Sequence, residues 1–188
     1  MPAKSKPTRK ILGIDPGTNI LGYAVLSIDD KQLRIESFGV LKLKKFEDHQ
    51  TKLKEIFLQL QEIIETYLPQ SMAIEAPFFG KNVQSMLKLG RAQGVAMAAA
   101  MTMGMDITEY SPKKIKLAVT GNGNASKEQV HAMTEQLLKI KISAKYLDAT
   151  DALAVALCHH FQAGNKTLRT RYKDWSSYIK SNPKRKLK

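Results

Sequence analysis

The sequence predicts one α/β domain with a five-stranded mixed sheet, three antiparallel strands followed by parallel strands, flanked by helices. Three observations predict this class. The chain opens with three apolar, strand-like runs joined by short turns, which is typical of an antiparallel meander. Apolar residues then recur at helical spacing in segments that alternate with short strand-like runs. Finally, 188 residues that are 43% hydrophobic are enough to bury one sizeable core.

The meander is predicted from the runs Ile11 to Ile14, Leu21 to Ile28 and Gln32 to Leu43. The turn residues from Pro16 to Asn19 separate the first two runs, and the pair Asp29-Asp30 marks a hairpin before the third. Because the connections are this short, we expect the three strands to be neighbours in the sheet.

Helices and short strands alternate in the rest of the chain. Apolar residues spaced by three or four positions from Leu53 onward predict an amphipathic helix that ends before Pro69. Met72 to Glu75 and Ile107 to Tyr110 read as strands, and Asn82 to Met103 reads as a helix. That helix is rich in Ala, Met and Gly, so neighbours can approach it closely, and we expect it to be central.

Three further helices are predicted from their first residues. Ser111 followed by proline is a cap signal, and Ser126 opens the next helix after the loop Gly121 to Asn124. The last helix is expected from about Asp148 to Gln162.

The formal net charge of +13 is concentrated at the two ends of the chain. Met1 to Lys10 has four basic residues and no acid, and Gly164 to Lys188 has nine basic residues and one acid. We therefore divide the chain into a basic extension (1–10), a domain (11–163) and a basic tail (164–188). Such ends indicate a nucleic-acid partner, because neutralising phosphates releases counterions; solubilising tails are the alternative.

Composition also excludes several classes of protein. No apolar run approaches the length of a membrane span, and the first ten residues lack the apolar segment of a signal peptide. The lone Cys158 excludes an internal disulfide and a cysteine-based zinc site, and its apolar surroundings favour an inert, buried thiol. We expect a cytoplasmic protein.

Four acids lie beside or within apolar runs, where an unpaired carboxylate is costly. Asp15 and Glu75 each end a predicted strand, so their carboxylates meet if the two strands are neighbours. Asp148 and Asp151 are three residues apart, which places them on one face of a helix. One patch is therefore expected to hold all four carboxylates.

A cluster of carboxylates favours Mg²⁺ or Mn²⁺, because these ions prefer oxygen ligands. Two such ions would serve phosphodiester hydrolysis, with Asp15 bridging them, Glu75 as a ligand, and Asp148 with Asp151 holding the water-activating ion. Simpler roles exist for three of the acids. Asp15 is a common turn residue, Asp148 suits a helix cap, and Asp151 suits the helix dipole. Glu75 has no such turn or cap role.

Four ordered motifs make the chain similar to the RuvC family of bacterial Holliday-junction resolvases, which have a ribonuclease-H-like fold. The resemblance covers about Ile11 to Phe161. The motifs are Ile11-Leu12-Gly13-Ile14-Asp15-Pro16-Gly17-Thr18 with Gly22-Tyr23, Ala73-Ile74-Glu75 with Lys81-Asn82, Leu87-Lys88-Leu89-Gly90 with Gly94-Val95-Ala96, and Asp148-Ala149-Thr150-Asp151-Ala152-Leu153-Ala154.

The resemblance implies a homodimer that binds a four-way DNA junction and makes paired, symmetric cuts with Mg²⁺. The four acids match the family's catalytic residues, and a partnership with the RuvA–RuvB branch-migration machinery is implied by family alone.

The resemblance also implies which positions contact DNA. They are Phe78, which matches an aromatic that stacks at the opened junction, its neighbours Phe79 and Lys81, and the basic residues Lys116 and Lys127. Ala76-Pro77 departs from the family's pattern next to this loop. The helix from Asn82 to Met103 is our candidate for the dimer interface.

Three other functions compete with junction cleavage. A nuclease of the same fold could act on RNA–DNA hybrids or structured RNA, and a junction-binding protein could lack catalysis. An ATP-using phosphotransferase built on the Asp15 turn needs two lobes to enclose its nucleotide, and one domain of this length is too small.

Overall fold

The computed structural model describes residues 8–29, 32–77, 82–142 and 147–164, in which five strands and five helices form one α/β unit. The strands are β1 (Arg9–Asp15), β2 (Ile20–Asp29), β3 (Gln32–Lys42), β4 (Ser71–Glu75) and β5 (Asp106–Tyr110). The helices are α1 (His49–Tyr67), α2 (Val83–Thr102), α3 (Pro112–Thr120), α4 (Lys127–Leu138) and α5 (Leu147–Gly164). No described helix is both long and apolar enough to cross a membrane.

The sheet is mixed, as predicted, with the order β3-β2-β1-β4-β5. β1 pairs antiparallel with β2, and β2 with β3, while β4 is parallel to both β1 and β5. Asp29 pairs with Gln32, which confirms the hairpin. β1 begins at Arg9, so Arg9 and Lys10, which we assigned to the basic extension, belong to the sheet.

Helix starts follow the capping residues. Asn82, Ser111 and Ser126 each accept a hydrogen bond at an N-cap, and Ser126 forms a full capping box with Gln129. α1 begins four residues earlier than predicted because Asp48 accepts a bond from the Thr51 backbone N–H at 2.7 Å.

The two faces of the sheet carry separate cores, because successive side chains of a strand point to opposite faces. Leu12 and Ile14 of β1 belong to the core that contains buried residues of α1 and α2. Ile11 belongs to the core on the other face, with α5. Residue 15 lies on the α5 face by the same alternation, and this places the Asp15 side chain beneath α5.

The central helix is α5, and the expectation that α2 is central was wrong. Every side chain from Ala152 to Cys158 is buried. α2 buries four alanines on one side, whereas its Gly90 and Gly94 face open space. The prediction of a buried thiol is confirmed, since the Cys158 Sγ lies 3.9 Å from the Lys114 carbonyl oxygen and burial raises its pKa to about 11.

Two glycines let α5 lie directly on the sheet. A Cβ on Gly13 of β1 would collide with the Ala152 carbonyl oxygen and would come within 2.9 Å of the Ala156 Cβ. A Cβ on Gly22 of β2 would collide with the Asp148 carbonyl oxygen. Both positions therefore require glycine if α5 is to keep this distance from the strands.

We expect Gly13→Ala to destabilise the protein by about 1–3 kcal/mol, because the new methyl group must push backbone away in a packed core. Urea unfolding measures this loss. Lys54→Ala is the control, because Lys54 is exposed on α1, away from the α5 contact. On an exposed helix position it should be close to neutral. Equal stability of Gly13→Ala and the wild type would contradict the close contact of α5.

Candidate active site

Two neighbouring parallel strands place the first two acids side by side. Ile14 of β1 is in register with Ile74 of β4, and the next residues along the two strands are Asp15 and Glu75. Parallel strands end at the same edge of a sheet, so both carboxylates lie at one edge, on the α5 face. The condition on which we expected these two carboxylates to meet, that their strands are neighbours, is fulfilled.

The first turns of α5 bring the other two acids to the same edge. Asp15, Glu75 and Asp151 line one cavity of about 200 Å³. Asp148 does not line it; its side chain is exposed in the first turn of the helix, where it still acts electrostatically on Asp15. The structure therefore places three of the four predicted acids in one cavity and the fourth beside it.

Burial and mutual repulsion favour the protonated forms of two of these acids. Burial, with Glu75 and Asp151 nearby, raises the pKa of Asp15 to about 8, although Lys127 opposes the shift. Burial and Asp151 likewise raise the pKa of Glu75 to about 7, against the effect of Lys127 and Lys116. Gathering negative charge in a poorly solvated cavity is unfavourable without a cation to balance it.

Two lysines supply positive charge at the cavity. The Lys127 ammonium donates a hydrogen bond to a carboxylate oxygen of Asp151 at 3.2 Å, and Asp151 raises the pKa of Lys127. Lys116 of α3 lines the same cavity. Both lysines that the family resemblance implied thus lie beside the acids.

The donor set fits a divalent cation. Among the described residues, no three His, Cys, Asp or Glu side chains are spaced closely enough to coordinate an ion as they stand. The chemistry nevertheless suits one, because carboxylate oxygens are the ligands that Mg²⁺ prefers and a cation would offset the repulsion between Asp15 and Glu75.

An apolar wall completes the cavity, and our sequence reasoning missed it. It is formed by α3, α4 and the second turn of α5 through Pro112, Ile115, Val130 and Ala154. Ile115 and Val130 are buried members of the α5 core, and their helical spacing marks them only as core residues. No signal in the sequence showed that they would lie next to carboxylates.

Several predicted DNA contacts cannot be placed. Phe78, Phe79 and Lys81 lie outside the described residues, as do most of the basic extension and the tail beyond Gly164.

Comparisons with known proteins agree with the resemblance. The family model described as "Crossover junction endodeoxyribonuclease RuvC" matches residues 11–159. A RuvC of this description from Christiangramia forsetii is 53% identical over 180 residues, which cover 96% of this chain and 94% of the relative. One from Cytophaga hutchinsonii is 56% identical and covers 93% of this chain and 86% of the relative.

Solved structures show the same likeness. A structure described as Thermus thermophilus RuvC in complex with Holliday junction substrate has a TM-score of 0.79 and 31% identity. The match covers 85% of this chain and 97% of that chain. The predicted fold class, an α/β ribonuclease-H-like domain, is confirmed.

The raised pKa values predict how stability depends on pH in metal-free protein. Folded Asp15 keeps its proton up to about pH 8, whereas the ordinary value is 3.8, so the wild type should lose stability as pH rises between these values. Asp15→Asn removes the charge and should be more stable than the wild type at pH 8 by about 1–3 kcal/mol. This difference should shrink toward pH 4, where the wild-type carboxyl is also neutral.

Urea unfolding in a chelator at pH 4, 6 and 8 measures the difference. Glu128→Gln is the control, because helix-start hydrogen bonds lower the pKa of Glu128 and its amide should bring no gain at pH 8. If the difference in unfolding free energy between Asp15→Asn and the wild type were constant over this range, the pKa of Asp15 would not be raised in the folded protein.

Proposed function

Because this chain belongs to the RuvC family of crossover junction endodeoxyribonucleases, we propose that it cuts four-way DNA junctions at the carboxylate cavity. The reaction is hydrolysis of DNA phosphodiester bonds by paired, symmetric nicks that resolve the Holliday junction in recombination and repair. One observation supports this location most directly. Asp15, Glu75 and Asp151 share one cavity with Lys116 and Lys127, which unites acids for metal with cations for phosphate.

Asp15, Glu75 and Asp151 are the residues that would hold Mg²⁺, with Asp148 as the fourth ligand on the rim. Mn²⁺ would also fit this site, since it accepts the same oxygen donors. Two bound ions would supply a water of lowered pKa and a charge that stabilises the leaving oxygen. The rigid β1 end suits Asp15 for the bridging position, because α5 packs directly on the strand that carries it.

Lys127 and Lys116 act on the phosphate. Lys127 is bonded to Asp151 and has a largely exposed side chain, with 79% of its surface accessible. An exposed side chain of this length could also reach a phosphate oxygen of a strand bound at the cavity. Lys116 of α3 lines the same cavity and would add a second positive charge to the phosphate.

The loop after Glu75 is the next part of the proposed DNA interface. We assign Phe78 and Phe79 to stacking on bases at the opened crossover, a contact of about 1–3 kcal/mol per base, and Lys81 to a phosphate. The basic extension and tail would add phosphate contacts that do not depend on base sequence.

A second copy of this chain is the proposed partner at the outer face of α2. Six apolar or small residues follow one face of that helix at spacings of three and four. They are Val83, Leu87, Gly90, Gly94, Ala98 and Met101, of which Val83 and Met101 are each 65% exposed. We call this face the α2 stripe. Two symmetric cuts need two active sites, and an exposed apolar stripe with central glycines suits close packing against an identical helix.

Two further assignments complete the proposal, the first from the composition of the chain and the second from the family alone. We place the protein in the cytoplasm, and we name the RuvA–RuvB complex as its partner in processing junctions. The three-part division of the chain also stays a proposal, with the first boundary moved to the start of β1.

Asp15→Asn is the direct test of the site. It should bind a mobile four-way junction within about threefold of wild-type affinity but should cut it at least about 10³-fold more slowly in Mg²⁺, since the bridging charge is lost. Gel assays of binding and nicking on the same synthetic junction measure both effects. Asp106→Asn, an exposed acid on β5, is the matched control and should cut normally.

The outcomes separate this proposal from its rivals. Faster cleavage of an RNA–DNA hybrid than of the junction by the wild type would favour a different nuclease of this fold. Junction binding without any Mg²⁺-dependent cutting would indicate a non-catalytic binding protein.

Leu87→Glu tests the α2 stripe. Placing a charge where 53% of an apolar side chain is exposed should weaken dimerisation at least tenfold, because the glutamates of two copies would be buried together. Sedimentation velocity measures the monomer–dimer equilibrium. Leu117→Glu, on α3 at the opposite face of the sheet and 54% exposed, should leave it unchanged. Equal effects of the two variants would rule out the α2 stripe as the interface.

A further inference from the structure

A group of basic residues on α1 and α2 has no role in the site described so far. His49 is the first residue of α1, and its pKa is lowered by burial and then by the positive charges of Arg91, Lys88 and Lys52. Lys88 and Arg91 are three residues apart on α2, so they share a face of that helix. Lys52 is three residues after His49 on α1, and the two helices pack together. We call Lys52, Lys88 and Arg91 the α1/α2 patch.

Positive charge in this patch is poorly compensated within the described part of the chain. None of the three basic side chains forms a salt bridge there. The charge of Asp48 acts on His49 in the opposite direction, but its carboxylate already accepts the Thr51 backbone N–H that caps α1. Lys88 and Arg91 are exposed, and Arg91, four residues after Leu87, borders the α2 stripe, so the patch is open to an anionic ligand at the edge of the proposed dimer interface.

An unsatisfied polar atom lies within the same group. The Nε2 atom of His49 is buried without a hydrogen-bond partner. A buried nitrogen without a hydrogen bond destabilises the fold, and a hydrogen bond from a ligand or a bridging water would remove that cost. Three basic side chains without salt bridges among the described residues, close to a buried nitrogen without a hydrogen bond, destabilise the packing of α1 on α2. This arrangement is typical of a surface that binds an anion.

The patch is connected to the active site through one turn of chain. The Lys52 ammonium donates a hydrogen bond to the side-chain oxygen of Asn19 at 3.1 Å. Asn19 closes the turn that begins directly after Asp15, and its carbonyl oxygen accepts the backbone N–H groups of Leu43 and Lys44. The Lys52 end of the patch therefore lies at the sheet edge that carries Asp15, on the side of the sheet where α1 and α2 pack.

We propose that Lys52, Lys88 and Arg91 bind backbone phosphates of the junction arm that leaves the active site past the Asn19 turn. This proposal rests on the proposed function, because it assumes that the scissile phosphate lies at Asp15. The contacts are to phosphates alone, so they add affinity and fix the direction of the arm without reading base sequence.

The double variant Lys52→Gln with Lys88→Gln tests the patch. The full chain should lose about two units from the slope of log affinity against log salt, since each phosphate contact contributes about 0.9. Junction affinity near 100 mM salt should fall at least tenfold. Fluorescence anisotropy in a chelator, from 50 to 300 mM salt, measures the slope without cutting.

Lys54→Gln with Lys139→Gln is the matched control, because it removes the same charge from exposed lysines elsewhere, one of them on α1 itself. Equal slopes for the two double variants would overturn the proposal. Thermal unfolding of both variants shows whether any loss comes from misfolding, and Arg91→Gln alone, with an expected loss of about one unit of slope, provides a second reading.

Affinity measured on a linear duplex with the sequence of one junction arm distinguishes failure of this proposal from failure of the proposed function. Absence of junction cutting by the wild type would contradict the function. The salt slope on the duplex would still report on the α1/α2 patch, because phosphate contacts do not require a crossover.

Discussion

The contact of α5 with the backbone of β1 and β2 determines where the acids lie. Gly13 and Gly22 remove the side chains that would hold the helix away, and the small residues of α5 occupy the space. The helix consequently begins above the strand end that carries Asp15. Its first two turns hold Asp148 and Asp151, so a helix only slightly farther from the sheet would separate these acids from Asp15 and Glu75. Packing and the active site thus depend on the same few atoms.

That position creates a local electrostatic cost. The apolar wall from α3 and α4 limits solvation of the carboxylates, and their charges repel one another, so the pKa values of Asp15 and Glu75 rise toward neutrality. Lys127 offsets part of this cost through its bond to Asp151. A site of this kind gains most from a divalent cation, since the ion replaces protons and repulsion with direct coordination. The repulsion between carboxylates that destabilises the metal-free fold therefore favours metal binding.

Positive charge within the folded domain is concentrated at particular surfaces, although the domain as a whole carries little net charge. Between Ile11 and Phe161 the chain is close to neutral by count, yet lysines flank the carboxylate cavity and the α1/α2 patch adjoins the turn after Asp15. Long side chains from separate helices create these surfaces only after the helices pack. Under the proposed function, the cavity supplies chemistry at one phosphate, while the patch and the basic ends hold the arms that surround it.

The sequence by itself determined the element order, the antiparallel meander, the helix caps and the four acids, because periodicity, turn residues and capping side chains act over a few neighbouring positions. It also carried the family motifs. Only the tertiary structure decided that α5 and not α2 is central, because small residues permit close packing on either helix and do not show which face is covered. It likewise decided that Asp148 stands beside the cavity, that Ile115 and Val130 form its wall, and that Lys52 and Lys88 both lie near His49. Those relations join residues far apart in the chain, and no local pattern specifies the distance between them.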